Sequence, residues 1–327
     1  MEELKPYKKL ALVVLDGFGV ASNSHGNAVS QASPEVFDFI ISNYPSLTLQ
    51  ASGPLVGLPW GEMGNSEVGH LNIGAGRIVG QDLPRINSAI QDSSFFKNPV
   101  FLSACEHANK NNSKLHLVGM VSPGGVHSSD EHLFALLALA AGEKVEHVYI
   151  HMFTDGRDTG EKVALDALQK LRMKIVQIGV GKIATVTGRF YGMDRGKHWN
   201  QTEMTFQAMV NGIGPNALSA EDCILNNYQQ SVYDEMIPPT VMVEPVENSS
   251  ETTPVGLIAN NDAIIFFNFR SDRALQLTQA FVKPEAMEIE SQHKSLENVY
   301  VATMTEYFFG LPVHVAFPTQ NLQNNLA

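Results

Sequence analysis

Short unbroken apolar runs alternate along the chain with stretches whose apolar residues recur every three or four positions. Residues 10–15, 114–121, 147–153, 182–187, 263–269 and 298–303 are rich in valine and isoleucine and mostly do not alternate with polar residues. A strand that is apolar on both faces belongs inside a parallel sheet covered by helices on both sides, since neither face can be left to water. Between these runs, residues 130–141, 161–176, 201–210 and 272–281 have helical periodicity. Thr159-Gly160 precedes the second, and Asn200 is placed to cap the third. Strands and helices in alternation predict an α/β architecture with a largely parallel sheet. Residues 53–80, dense in glycine, and 211–251, rich in proline, asparagine and serine, read as connections.

Composition narrows the function. The chain of 327 residues is long enough for two ordinary domains, each with its own core. Its 22 Lys and Arg against 34 Asp and Glu leave a net charge of −12, which repels a phosphate backbone and argues against nucleic-acid binding while leaving a local basic pocket open. A hydrophobic content of 44% excludes a disordered chain. Cys105 and Cys223 form no CxxC pair, which suits a reducing compartment, and the expectation is a cytoplasmic protein. No signal peptide is visible, and the longest apolar run, 133–141, falls far below the ~20 residues that cross a bilayer. That run reads as a core helix. The polar stretch 317–325 ends without a closing helix, as a frayed tail or an early stop would.

In doubly wound sheets ligands bind beyond the carboxyl ends of the strands, so the chemistry should sit there. The first run ends Leu15-Asp16-Gly17-Phe18-Gly19, where Asp16 suits a metal ligand or a base, or simply a turn aspartate bonding its own backbone. In Gly61-Glu62-Met63-Gly64-Asn65-Ser66-Glu67-Val68-Gly69-His70 the glycines leave Ser66 accessible. At a helix start its surroundings would stabilise an alkoxide or a phosphate, and a plain N-cap serine is the alternative. No GxSxG elbow, P-loop or dinucleotide fingerprint is present. His127 stands in the glycine-rich turn Ser122-Pro123-Gly124-Gly125-Val126-His127, open to acid–base, metal or phosphate work, or to no task.

Thr154-Asp155-Gly156-Arg157-Asp158 follows another run, and Arg157 can pair with Asp158. Any one arginine at such a place is most simply a solvated charge. Five of them, Arg157, Arg189, Arg195, Arg270 and Arg273, lie at or near three strand ends in a chain short of positive charge. Guanidinium forks bind carboxylate and phosphate bidentately, so this concentration points to a small, multiply anionic substrate. Zinc is disfavoured: His127 and His132 are five apart, there is no HExxH, and no Cys/His quartet can be assembled.

In order and approximate spacing, Val14-Leu15-Asp16-Gly17, Gly64-Asn65-Ser66-Glu67-Val68-Gly69-His70, Gly125-Val126-His127-Ser128, Thr154-Asp155-Gly156-Arg157-Asp158, Gly188-Arg189-Phe190-Tyr191 with Met193-Asp194-Arg195, and Phe267-Asn268-Phe269-Arg270-Ser271-Asp272-Arg273 resemble cofactor-independent (2,3-bisphosphoglycerate-independent) phosphoglycerate mutases. The resemblance runs from residue 10 to the end of the chain. It implies an isomerase of glycolysis and gluconeogenesis that interconverts 3- and 2-phosphoglycerate. Two Mn²⁺ ions, or Mg²⁺ or other divalent ions, would serve it, without 2,3-bisphosphoglycerate. The implied fold is an alkaline-phosphatase-like domain with an inserted α/β transferase domain. Residues 1–80 and 312–327 would be parts of the first, incomplete here, and 81–311 the whole of the second.

By the same resemblance, Ser66 takes the phosphoryl group as a phosphoserine intermediate, and Asp16 and Ser66 are metal ligands. His127, Arg157, Asp158, Arg189, Arg195, Arg270 and Arg273 hold the substrate, with Asp158 the base that shifts protons on the glycerate hydroxyls. Family members continue past the position of Ala327 with the other metal ligands and a substrate-site lysine, so this chain alone is expected to be inactive. His198 and Leu275 stand where the family usually has arginine and a charged residue. The expected partner is a small molecule, with no nucleic acid and no membrane, and the chain is expected to be a monomer. A metal-dependent phosphohydrolase of the same superfamily shares Asp16 and Ser66 but has no use for five arginines. A non-catalytic phosphoglycerate-binding fragment is the other alternative.

Overall fold

The computed structural model describes residues 9–22, 24–286 and 296–326. The chain divides into two compact units, Met1–Gln81 with Leu322–Ala327, and Asp82–Asn321.

The smaller unit holds α1 (Ala28–Ala32), α2 (Glu35–Asn43), a 3-10 turn Gly53–Val56 and α3 (Ser66–Ala75). The region read as a glycine-rich connection thus contains a ten-residue helix. α3 is tied down by its own side chains: Asn72 Nδ2 donates to the Val56 carbonyl at 2.9 Å and its Oδ1 accepts from Val79 N–H at 2.7 Å. Residues 10–15, expected as a strand, are not one; Leu10 is 92% and Val13 77% exposed. The physical reason is that a two-faced apolar strand needs strands beside it, and the described residues of this unit contain none.

The larger unit is built on nine strands among the described residues: β1 (Leu115–Met120), β2 (Val148–Thr154), β3 (Lys182–Gly188), β4 (Asn216–Ala217), β5 (Thr240–Pro245), β6 (Thr252–Pro254), β7 (Ala263–Phe266), β8 (Tyr300–Thr305) and β9 (His314–Phe317). Their order is β4-β5-β3-β2-β1-β7-β8-β9, with β6 paired to β5. Every pairing is parallel except β3 with β5 and β5 with β6. Helices α4 (Asp82–Gln91), α5 (Pro99–Lys110), α6 (Asp130–Gly142), α7 (Ala164–Ile178), α8 (Arg189–Gly192), α9 (Trp199–Val210), α10 (Ala220–Gln229) and α11 (Leu275–Val282) complete it.

All six residues of β1 are buried, as a central strand requires. Leu115 and Leu117 face a core shared with Phe101, Leu133, Leu136 and Leu171 of α5, α6 and α7. Val118 and Met120 face the opposite core, with Phe206 and Met209 of α9 and Leu277 of α11. Each such side chain contributes about 1.5–3 kcal/mol by leaving water, so α/β layering follows from strands apolar on both faces. One polar chain crosses the second face. Thr185 Oγ1 lies 3.0 Å from His151 Nδ1, His151 Nε2 3.0 Å from His116 Nδ1, and His116 Nε2 3.1 Å from Asp262 Oδ2. The carboxylate only accepts, so the direction of every donor in the chain follows with both imidazoles neutral.

Tertiary contacts moved several predicted boundaries. α7 starts at Ala164, because the Asp234 carboxylate, from elsewhere in the chain, accepts from Val163 and Ala164 N–H at 2.8 and 2.9 Å. α9 starts at Trp199, so Asn200 is not its cap; the cap residue is His198, whose N–H bonds Asp194 Oδ2 at 2.8 Å. The stretch read as a 211–251 connection carries α10 and β5. β9, assigned from sequence to the return part of the first domain, pairs with β8 and lies within the larger unit.

Candidate active site

β3, β2, β1 and β7 are parallel neighbours, so their carboxyl ends open along one edge of the sheet. From β1 the chain order runs one way to β2 and β3, and from β7 the other way to β8 and β9. That reversal leaves a crevice between the β1 and β7 ends, where ligands of such sheets bind.

The loop after β1 delivers His127, 2% exposed. Its carbonyl accepts from Phe269 N–H at 2.9 Å and Arg270 N–H at 3.2 Å, which ties the β1 and β7 loops together. The loop after β2 turns on Gly156, whose φ of +75° and close approach to Glu235 leave no room for a side chain. β3 runs directly into α8 and delivers Arg189, also 2% exposed. Its NH1 lies 2.6 Å from Asp155 Oδ1 and 2.5 Å from Asp158 Oδ2, and its NH2 donates to His127 Nε2 at 3.0 Å.

Beyond β7, Asp272 collects the second group of cations. Arg195 NH1 lies 2.6 Å from its Oδ2, Arg270 Nε 3.0 Å from its Oδ1, and His127 Nδ1 3.6 Å from that same Oδ1. Arg273 NH1 donates to the Met193 carbonyl at 3.2 Å, and Arg157 NH1 lies 3.5 Å from Glu235 Oε1 rather than pairing with Asp158. All seven sequence-derived pocket residues therefore meet at one sheet edge. Arg157, Arg195 and Arg270 have about half their side-chain surface open to solvent, at 57%, 53% and 48%.

Electrostatics fix protonation states. Burial, then the Arg189 charge, hold the His127 imidazole down to about 4, against the pull of Asp272. It is neutral at pH 7. A guanidinium has no acceptor, so the Arg189 bond places the lone pair of His127 on Nε2 and its proton on Nδ1. That Nδ1 is buried and has no hydrogen-bond partner among the described residues. Burial works against the charge of Arg189, but hydrogen bonds to Asp158 and Asp155 outweigh it and raise its pKa. Burial and the neighbouring charges of Arg189, Arg195 and Arg157 lower that of Arg273. Cations this close repel one another, and a bound anion relieves that repulsion.

Sequence reading missed three contributors: Asp155, Ser122 and Asp272. The signal for the first was present, an acid directly after a buried strand, but spacing alone cannot tell a ligand-binding acid from one that holds the frame.

In the smaller unit, Ser66 is the first residue of α3 and Asn65, not Ser66, is its cap, accepting from Val68 N–H at 3.0 Å. Ser66 Oγ donates to Asp16 Oδ2 at 2.7 Å and lies 3.2 Å from His70 Nδ1. Among the described residues no group of three or more His, Cys, Asp or Glu side chains is arranged to hold a metal ion. Asp16 and Ser66 are two oxygen-donor side chains where a hard divalent ion takes about six ligands. The described residues therefore do not make up the manganese centre that the resemblance implies. No helix among the described residues is long and apolar enough to cross a membrane.

The chain resembles a solved structure and matches a family model. The phosphoglycerate mutase of Leishmania mexicana, in crystal structures at low cobalt concentration, is 29% identical with a TM-score of 0.72. The match covers 85% of this chain and 51% of that one, so the chain spans about half the length of that relative. The family model described as "BPG-independent PGAM N-terminus" matches residues 86–308, which takes in β1 to β8 and every arginine of the crevice. The chain belongs to the BPG-independent phosphoglycerate mutase family through this N-terminal region.

Proposed function

We propose that the crevice between the β1 and β7 ends is the phosphoglycerate pocket of a mutase interconverting 3- and 2-phosphoglycerate in glycolysis and gluconeogenesis. The observation that carries the reading is the meeting of five arginines with a buried, neutral His127 whose Nδ1–H is unspent. A molecule with a phosphate at one end and a carboxylate at the other needs two sets of guanidinium forks, and a neutral donor between them adds direction without further charge. In this reading Arg157, Arg189, Arg195, Arg270 and Arg273 hold the two anionic ends. Asp158, its Oδ2 on Arg189, takes a proton from one glycerate hydroxyl and returns it to the other oxygen.

Ser66 is the proposed acceptor of the phosphoryl group, which passes to its Oγ and back to the other hydroxyl of a glycerate that never leaves. A serine hydroxyl near pH 7 is a weak nucleophile and needs activation. Divalent ions, Mn²⁺ by the resemblance, would supply that activation, with Asp16 and Ser66 among their ligands. Because the described residues supply such a centre only in part, this polypeptide by itself binds phosphoglycerate without isomerising it. It is proposed to act as a monomer in the cytoplasm.

Calorimetry with 3-phosphoglycerate tests the pocket. Arg270→Ala is expected to weaken binding about ten- to hundredfold, the usual worth of a hydrogen bond to a charged group; unchanged binding removes the pocket assignment. In an enolase-coupled assay the 1–327 chain with Mn²⁺ is expected to give no 2-phosphoglycerate, and turnover there would refute the inactivity of the chain alone.

A further inference from the structure

We propose that Asp155 is a positioning residue whose carboxylate clamps the loops after β1, β2 and β3 at one fixed spacing, so that the pocket can grip both ends of one phosphoglycerate. The inference rests on the substrate reading above and adds to it the residue that sets the pocket's span.

Asp155 is 3% exposed, and its two oxygens reach three different strand ends. Oδ2 accepts from the Ser122 hydroxyl, after β1, at 2.7 Å. Ser122 is itself held on both sides: its Oγ accepts from Gly124 N–H at 3.1 Å, and its N–H bonds Asp130 Oδ1 at 3.1 Å, at the start of α6. The tie therefore extends through the turn that carries His127. Oδ1 accepts from Arg157 N–H at 3.2 Å and Asp158 N–H at 3.0 Å, folding the loop after β2 over its own aspartate. The same oxygen takes Arg189 NH1, after β3, at 2.6 Å.

Four donors hold the carboxylate, three on Oδ1 and one on Oδ2. At 3% exposure it is closed off from solvent, and its contribution is geometric. Its charge matters as well. With the Asp155 charge gone, Asp158, already 2.5 Å from Arg189 NH1, is the one carboxylate left to balance that guanidinium. A ligand gripped at both ends senses the spacing of these loops, since small misplacements are costly when two contacts must form together. A ligand gripped at one end does not.

The test compares 3-phosphoglycerate with inorganic phosphate by calorimetry on the full chain, Ser122→Ala and Asp155→Asn. Asp155→Asn keeps the shape and removes the charge, and is expected to lower 3-phosphoglycerate affinity about ten- to hundredfold. Phosphate affinity should change much less, so the ratio of the two collapses. Ser122→Ala removes one strand of the clamp and should lower the ratio by a smaller factor. A purely structural role would lower the melting temperature and leave that ratio alone. If both variants, natively folded by circular dichroism, keep the wild-type ratio, the clamp is wrong while the pocket stands. If wild type itself fails to prefer 3-phosphoglycerate over phosphate, the substrate reading falls and the clamp with it. Should Asp155→Asn not fold, Ser122→Ala decides.

Discussion

A histidine inside a protein is charged or neutral according to which costs less, and in this chain burial decides it repeatedly. His132, on α6, has its Nε2 2.9 Å from Asn87 Oδ1 and is fully buried. Burial lowers its pKa to about 4. Burial also lowers those of His116 and His151 in mid-sheet. For His132 and His127 the unfolded chain binds the proton near pH 6.5 while the folded one refuses it until about pH 4, so stability from these two groups is complete above 6.5. It drains away as pH falls from there toward 4. Replacing His132 by Gln removes one such proton: the fall in unfolding free energy between pH 6.5 and 4 should shrink by up to about 3 kcal/mol, read from urea melts across that range. An identical pH slope in wild type and variant rules the account out. The same neutrality makes His127 a donor rather than a counter-charge in the pocket.

Elements here are finished by distant groups as much as by their own ends. α7 lacks a side-chain cap from its N-cap residue, Val163. Asp234 takes over, accepting from Val163 and Ala164 N–H and from the Tyr228 hydroxyl of α10. Burial raises the Asp234 pKa more than these bonds lower it. Asp234→Ala strands two amides at the helix start and a half-buried hydroxyl, and should cost about 1–3 kcal/mol. Because the Asp234 carbonyl also receives the Thr154 hydroxyl at 2.6 Å, hydrogen exchange is expected to rise at both the α7 start and the end of β2. Protection lost at α7 alone would mean that the two ends are independent.

At the scale of the molecule, the larger unit contains the whole nine-stranded sheet, all of both its core faces and every residue of the proposed pocket. Residues 82–321, expressed alone, should melt cooperatively and bind 3-phosphoglycerate within about twofold of the full chain, since the proposed pocket residues and the partners named for them all lie within this unit. Loss of binding in a natively folded 82–321 would show that the smaller unit contributes to the pocket. That unit is differently made: Leu10, Val13, Val36 and Phe39 are exposed, and α2 has no buried residue.

The sequence by itself determined the α/β class, because runs such as 114–121 and 147–153 are apolar on both faces and a chain can bury such strands in few other ways. It also motivated the proposed anionic ligand, through five arginines gathered at or near strand ends in an acidic chain. Only the tertiary structure decided which of these groups touch. Arg157 and Asp158, neighbours in sequence, separate to Glu235 and Arg189, and the hub at Asp155 is invisible until three strand ends converge on it. Residues 10–15 show the reverse limit: the pattern of a strand is written in the chain, but a strand is a relation between segments, and its hydrogen bonds exist only where a neighbour lies alongside.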